Sequence, residues 1–394
     1  MIECEHSTIN ARRPVNYEPV ISLKDSWGGR ARELWQTRFA EVVNPVNSAF
    51  LCTGIGEAPL DNTRVGVRMR YDGSLIPKYD NLHEHLGHVP ELLFLLASPL
   101  STAGVVGLRG LARTYKEQGV QKIIPIMTSL AHERQDHQFF DSDGKPILEV
   151  TTLKDIVEIL KDGGYIDGGI IIQPHSLRSV ELALRTGFPL LPIDAFKFLV
   201  EGAELRNIKN AFVIGPDKGR KDDARILASV LDCPMGSAIK TRDRINGGRP
   251  TVIVPGDVLQ HIREIQANVI IVDDEIREGG TVGGLVKALD GFANSITVCT
   301  IKAIFACGEE KSAIDHLSHP LIRKIVITDA VKPLNDTKPL QGKLQTIELG
   351  PEISRLVAYL QQNLVPSGDE TWLRDRSKTN TPLRLDLSVE EINS

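Results

Sequence analysis

Val269-Ile270-Ile271-Val272-Asp273-Asp274-Glu275-Ile276-Arg277-Glu278-Gly279-Gly280-Thr281 is the stretch on which the fold turns. Its four leading apolar residues read as a buried parallel strand. Two aspartates follow, then a loop with two glycines and a threonine, then a helical pattern from about Val282. In an open α/β sheet, ligands bind outside the carboxyl ends of the strands. The loop brings backbone N–H groups and a helix N-terminus to that edge, where an anion can sit. The aspartate pair suits ribose hydroxyls or a hydrated Mg2+. The plainer alternative is a strand that ends in solvated acids before a glycine turn.

Outward from this run, strand and helix patterns alternate. Toward the C-terminus follow a helix over Val282–Leu289, a strand over Ile296–Lys302, a helix over Glu310–Leu317, a strand over Lys324–Thr328 and a helix over Pro351–Gln361. Before it come a strand at Ala211–Ile214, a helix at Lys221–Leu231, a strand at Met235–Ile239, a basic glycine-containing loop to Pro255 and a helix at Val258–Gln266. An earlier series has strands at Val20–Leu23, Ala49–Cys52, Arg64–Arg70, Leu92–Ala97, Lys122–Met127 and Gly169–Gln173. Its helices are Arg30–Val43, Gly104–Gln118, Leu153–Lys161 and Val180–Thr186. Strands separated by helices predict parallel sheets covered on both faces. The expected organisation is an arm (1–18), an α/β domain (19–205), a second α/β domain (206–364) and a polar tail (365–394).

A chain of 394 residues with 41% hydrophobic and 25% charged content is an ordinary globular protein of two domains. The net charge of −5 speaks against a primary nucleic-acid partner. Cys4, Cys52, Cys233, Cys299 and Cys307 have no metal-like spacing and make no even framework, so a reducing, cytoplasmic compartment is expected. No apolar run approaches the ~20 residues that span a bilayer, and the polar, acid-bearing N-terminus is unlike a signal peptide. His83-Glu84-His85-Leu86-Gly87-His88 departs from the zincin pattern; it reads either as a metal-binding or as a polar loop.

Five segments in order resemble the ribose-phosphate diphosphokinase (phosphoribosyl diphosphate synthase) family over roughly residues 19 to 363. The Asp-Asp and Gly-Gly-Thr loop is similar to the one that binds phosphoribosyl diphosphate in that family and in type I phosphoribosyltransferases. Glu133-Arg134-Gln135-Asp136-His137 resembles the family's Ala-Arg-Gln-Asp-Arg, implying that Arg134 and Gln135 bind ATP. Ile172-Gln173-Pro174-His175 stands where the family has a histidine ligand of Mg2+–ATP, implying His175. Gly215-Pro216-Asp217-Lys218-Gly219-Arg220 resembles Ser-Pro-Asp-x-Gly-Gly, implying Asp217 beside metal and ribose, with Arg220 adding positive charge at the pocket rim. Pro234, Lys240 and Arg242 match the opening of the family's mobile catalytic loop. Phosphoryl transfer needs such positive charge on the equatorial oxygens. Tyr71-Asp72-Gly73-Ser74 resembles Phe-x-Asp-Gly-Glu, implying that Asp72 helps to bind adenine.

The resemblance implies two consecutive phosphoribosyltransferase-like domains, each a mainly parallel sheet flanked by helices, with Mg2+ as cofactor, ATP as co-substrate and a homo-oligomer, dimer or larger. Asp273, Asp274, Arg277, Glu278, Gly279, Gly280 and Thr281 fall in the ribose and phosphate loop. Two departures stand out. Arg277 and Glu278 replace an acid and a threonine in the phosphate cradle, and Thr102-Ala103-Gly104 replaces Asn-Asp-Asn. Glu278 repels a phosphate dianion unless Arg277 pairs with it or points inward. Three readings follow: a diphosphokinase acting on ribose 5-phosphate or on ADP-ribose, a phosphoribosyltransferase, and a catalytically silent homologue. The Arg-Gln-Asp and Lys-x-Arg segments favour the first.

Overall fold

The computed structural model describes residues 48–52, 66–69, 75–78, 88–135, 152–241, 251–308, 311–353 and 356–357. Outside them lie the arm and tail, the expected strand at Val20–Leu23 and helix at Arg30–Val43, Asp72, Arg242 and most of the histidine-rich run. The chain folds as two compact units that meet in sequence between Asp194 and Ala195.

The first unit is built on a five-stranded parallel sheet in the order β1-β4-β5-β6-β7. These strands are β1 (Ser48–Cys52), β4 (Leu92–Ala97), β5 (Lys122–Met127), β6 (Gly169–Ile172) and β7 (Leu190–Ile193). A separate hairpin pairs β2 (Gly66–Met69) with β3 (Leu75–Lys78). Every residue of β4 is buried, as expected for a strand covered on both faces. Helices α1 (Thr102–Glu117), α2 (Thr152–Lys161) and α3 (Arg178–Arg185) bury Leu108, Leu111, Ile156, Leu160 and Val180 against it. Helix α1 starts where the Ser101 side chain accepts the Gly104 N–H at 3.1 Å, an N-cap that satisfies one of the first-turn amides.

The second unit holds a six-stranded parallel sheet, β15-β14-β13-β12-β8-β9. They are β8 (Ala211–Gly215), β9 (Met235–Ser237), β12 (Asn268–Ile276), β13 (Ser295–Ala303), β14 (Ile322–Thr328) and β15 (Leu344–Ile347). Helices α4 (Phe196–Gly202), α5 (Lys221–Leu231), α6 (Gly256–Glu264), α7 (Gly280–Leu289) and α8 (Ala313–Leu317) accompany them. Helix α4 belongs to this unit: a Cβ on Gly202 would stand 2.8 Å from Ile347, and Gln345 Nε2 donates to Gly202 O at 3.0 Å. The segment from Ala195 therefore packs with the second sheet, ahead of the join expected at 205/206.

Three sequence readings are corrected. The Asp-Asp strand does not stop at Val272; it runs on through both aspartates to Ile276, paired with β13 as far as Glu275↔Lys302 and Ile276↔Ala303. Helix α7 accordingly starts at Gly280, two residues early. The expected strand Met235–Ile239 breaks at Ala238, whose N–H goes back to Gly215 O at 2.9 Å. The chain then turns into β10 (Ile239–Thr241), which pairs antiparallel with β11 (Thr251–Ile253), so part of the expected basic loop is a strand. Among the described residues, no helix is long and apolar enough to cross a membrane.

Candidate active site

In the second unit, the ends of β8 and β12 and the first turn of α5 bring acidic side chains to one arginine, two of them into contact with it. Asp217 follows β8 and caps the turn of residues 218–220, with Oδ1 accepting the Gly219 N–H at 2.9 Å and the Arg220 N–H at 3.3 Å. This Asx cap fixes the backbone from which Arg220 springs. The Arg220 side chain is not at a rim, as its sequence position suggested; it is 8% exposed. Its Nη1 lies 2.9 Å from Asp223 Oδ2, a turn later on α5, and 3.2 Å from Asp274 Oδ1 on β12. Burial disfavours its charge, but the carboxylates of Asp274, Asp223, Asp273 and Asp217 outweigh that and hold it firmly protonated. Removing one partner from a buried ion pair of this kind typically costs about 3–5 kcal/mol.

The two aspartates of the opening motif thus differ. Asp274 is buried and paired with Arg220, while Asp273 is half-buried. Burial, then the charge of Asp274, pushes the Asp273 carboxyl well above the ordinary carboxylate range; the Arg220 charge only partly counters this. An opposite charge arriving at Asp273 would favour its ionisation.

Beyond Ile276 the chain turns through Arg277 and Glu278, both exposed, to Gly279 at φ 74°. That left-handed backbone is strained for any residue with a Cβ, and a Cβ here would also stand 3.1 Å from the Ala313 Cα. Helix α7 has no side-chain N-cap. Lys240 on β10 reaches that end and donates from Nζ to Thr281 Oγ1 at 2.6 Å. A lysine ammonium beside the positive end of a helix is unfavourable on its own and becomes favourable when an anion sits between them. Lys240, Thr281, Gly280 and Gly279 are therefore brought together as an anion cradle, with Asp273 on the strand leading into it.

The charge of Glu278 is not met in the expected way. Arg277 Nε donates to Glu275 Oε1 at 2.5 Å, not to Glu278. On the neighbouring strand β13, Lys302 is fully buried in register with Glu275. Neither that lysine nor the carboxylate cluster around Arg220 was singled out in the sequence.

In the first unit, the loops after β5 and β6 are tied by Glu133. Its Oε2 accepts the Leu130 N–H at 3.4 Å and its Oε1 the His175 N–H at 3.3 Å. This brings Arg134, Gln135 and His175 to one edge, the carboxyl end of the sheet. His132 at φ 60° and Gln173 at φ 45° hold non-glycine residues in the left-handed region at these same strand ends, a form of strain that clusters at ligand sites. His132 itself was missed. Its Nε2 stands 2.9 Å from Thr102 Oγ1 and its Nδ1 2.7 Å from Gln135 Oε1. Thr152 Oγ1 donates to the same Gln135 oxygen. Thr102, which marked a lost polar signature, is thus polar in a new way: it braces the histidine.

Among the described residues, no group of three or more His, Cys, Asp or Glu side chains encloses a metal ion. The carboxyls of Asp273 and Asp217, both half-buried, the latter with its Oδ1 used as a cap, are hard oxygen donors. They suit Mg2+, which is commonly held by one or two carboxylates together with water and substrate phosphates.

No family model matches the chain. A ribose-phosphate pyrophosphokinase of Saccharolobus solfataricus is 27% identical over 202 residues, 51% of this chain and 64% of that protein; the match spans just under two thirds of the relative's length. One of Sulfurisphaera tokodaii is 24% identical over 285 residues, covering 71% of this chain and 87% of its own. Among solved structures, a phosphoribosylpyrophosphate synthetase from Mycobacterium smegmatis superposes with a TM-score of 0.60 at 18% identity, covering 80% of this chain and 99% of its own. That likeness shows the fold, two consecutive α/β units each built on a parallel sheet flanked by helices.

Proposed function

We propose, from the likeness of the chain to ribose-phosphate pyrophosphokinases, that it belongs to that family and transfers the diphosphoryl group of ATP to the anomeric hydroxyl of a ribose 5-phosphate-type acceptor. The acceptor oxygen attacks the β-phosphorus, the bond to the α–β bridging oxygen breaks, and AMP leaves as the hydroxyl proton is lost. The observation that carries this reading is the Lys240 ammonium held by Thr281 at the N-terminus of α7, next along the chain from Asp273. A phosphoribosyltransferase has no need of the first unit's Arg134, Gln135 and His175, and a silent homologue has no need of that lysine.

In this reading Lys240 and Arg242 stabilise the transferring group, and the α7 amides with Thr281 hold the acceptor's phosphate. Asp273 meets ribose hydroxyls or the metal. Arg134, Gln135 and Asp72 hold ATP, and His175 and Asp217 are the protein's groups toward Mg2+. Bound Mg2+ supplies charge neutralisation on the phosphates. The enzyme is further read as cytoplasmic and as a homo-oligomer, with its two α/β domains as the working parts and residues 1–18 and 365–394 as arm and tail. The test is incubation with ATP, Mg2+ and either acceptor, read by mass spectrometry. AMP and a diphosphorylated acceptor are expected only when all three are present; no product with either acceptor would favour the silent homologue.

The Arg277–Glu275 pair favours a second acceptor. With Arg277 engaged there, Glu278 brings its negative charge to the cradle, which disfavours a phosphate dianion. ADP-ribose, whose 5-position carries a diphosphate link, suits such a loop better, and would place the enzyme in NAD metabolism. Glu278→Thr is therefore expected to raise the kcat/KM ratio of ribose 5-phosphate over ADP-ribose. An unchanged ratio in an enzyme that already prefers ribose 5-phosphate would show that the loop departure is neutral.

The His132 brace yields a further expected result. Loss of one hydrogen bond, worth about 1 kcal/mol, in His132→Ala should weaken ATP binding about three- to tenfold with turnover little changed. His132→Asn, which keeps a polar group at this position, should recover part of it. Equal ATP affinity in the native protein and His132→Ala would remove Gln135 from the ATP site.

A further inference from the structure

The buried carboxylates of Asp223 and Asp274 converge on one side chain, and that side chain is an arginine, whose backbone N–H is held by Asp217. Arg220 Nη1 bonds Asp223 Oδ2 at 2.9 Å and Asp274 Oδ1 at 3.2 Å, with side-chain exposures of 10% for Arg220, 14% for Asp223 and 2% for Asp274. The backbone that aims it is fixed as well: Asp217 caps its N–H, and Gly215 stands so close that a Cβ there would lie 2.8 Å from the Arg220 carbonyl oxygen. A buried ammonium or guanidinium survives only where carboxylates compensate it, and buried carboxylates persist only where a cation does the same.

We propose that Arg220 is the built-in counter-cation of the acceptor site. It withdraws Asp274 from ligand binding, keeps divalent cations off that carboxylate, and leaves Asp273 as the one aspartate of the pair that meets acceptor or metal. Arg220 is a positioning residue in this account: it touches no substrate and acts through Asp274. The part of the inference that concerns the acceptor rests on the functional reading above; the part that concerns cations does not. Charge supports the assignment. One guanidinium is bonded by two carboxylates and leaves Asp217 and Asp273 unmatched by it, so the cluster stays net negative and still attracts a cation at Asp273. Arginine suits the role because its planar, permanently charged fork can bond two acids at once, which lysine does less well.

The test uses the full-length protein and Mn2+ alone, without nucleotide or acceptor, with bound metal read by electron paramagnetic resonance. Arg220→Met is expected to bind Mn2+ at least tenfold more tightly than the native protein, and the double variant Arg220→Met/Asp274→Asn to lose that gain. Arg220→Lys, which keeps the charge, should bind Mn2+ as the native protein does. Arg220→Gln carries the same comparison should Arg220→Met not fold. No gain of Mn2+ in either neutral Arg220 variant would overturn the proposal, as would a double variant that keeps the gain. If no acceptor is turned over, the functional reading fails while the Mn2+ comparison still decides the role of Arg220.

Discussion

Lys240→Ala is expected to lower turnover on the order of 10²-fold or more, the usual loss when a preorganised stabilising group is removed. ATP affinity should change far less. The lysine stands at the N-terminus of α7, 2.6 Å from Thr281 Oγ1, and in the proposed function its charge stabilises the transferring group rather than gripping the nucleotide base. An interaction made mainly in the transition state lowers kcat and kcat/KM together. Arg242→Ala should behave alike, since Arg242 follows Lys240 by two residues and shares its proposed role. Near-native turnover in either variant would show that the β10–β11 hairpin has no part in the chemistry. Thr281→Ala offers a graded comparison: it removes the partner that orients Lys240 but not the charge, so a smaller loss is expected.

Asp273→Asn is expected to do two things at once. Activity should fall on the order of 10²-fold, because a charge-assisted contact to the acceptor or metal is lost. Stability without metal should rise. Burial and the neighbouring Asp274 raise the folded-state pKa of Asp273 above its ordinary value. The folded protein therefore binds this proton more tightly than the unfolded chain. The sign is then fixed: stability tied to Asp273 is full below the ordinary carboxylate pKa and is lost as pH rises through the raised folded value. At neutral pH the native carboxylate is a cost that asparagine does not carry. In EDTA the variant should show a higher Tm, on the order of a few °C, and its stability should decline less between acid and neutral pH. A lower Tm at pH 7 would mean that Asp273 is compensated in the folded state. Residues placed for ligands at the expense of stability are common in active sites.

Much of this was legible in the sequence because buried parallel strands announce themselves. Leu92–Ala97 and Lys122–Met127 are apolar runs with clear ends, and the folded strands have those same ends. The strand at Leu190–Ile193 gave no such signal, because Pro189 and Pro192 interrupt it, yet it pairs at the edge where a proline is tolerated. The helix at Phe196–Gly202 was missed for its shortness and then shifted the join between the units.

The candidate site was legible as residue types and not as contacts. The aspartate pair and the Gly-Gly-Thr turn could be read directly. That one aspartate is buried depends on Arg220, more than fifty residues earlier, and no local pattern carries a contact of that range. Arg220 looked like a rim residue because its neighbours Lys218 and Lys221 are basic and polar. The Arg277–Glu275 pair has the opposite history. Residues two apart share a face of a strand, so the pairing follows once the strand is known to reach Ile276. Ending the strand at Val272 hid it. The brace of Thr102, His132, Gln135 and Thr152 joins segments separated by 17 and 30 residues, again beyond any local periodicity.

The account stands on the transfer of two phosphoryl groups as one unit, and [β-32P]ATP tests that most directly. With Mg2+ and an acceptor, every transferred label should appear on the sugar product, and the AMP released should carry none. Label recovered in ADP, with an unlabelled acceptor that has gained a single phosphoryl group beside it, would mean transfer of the γ-phosphoryl group alone and would contradict the account.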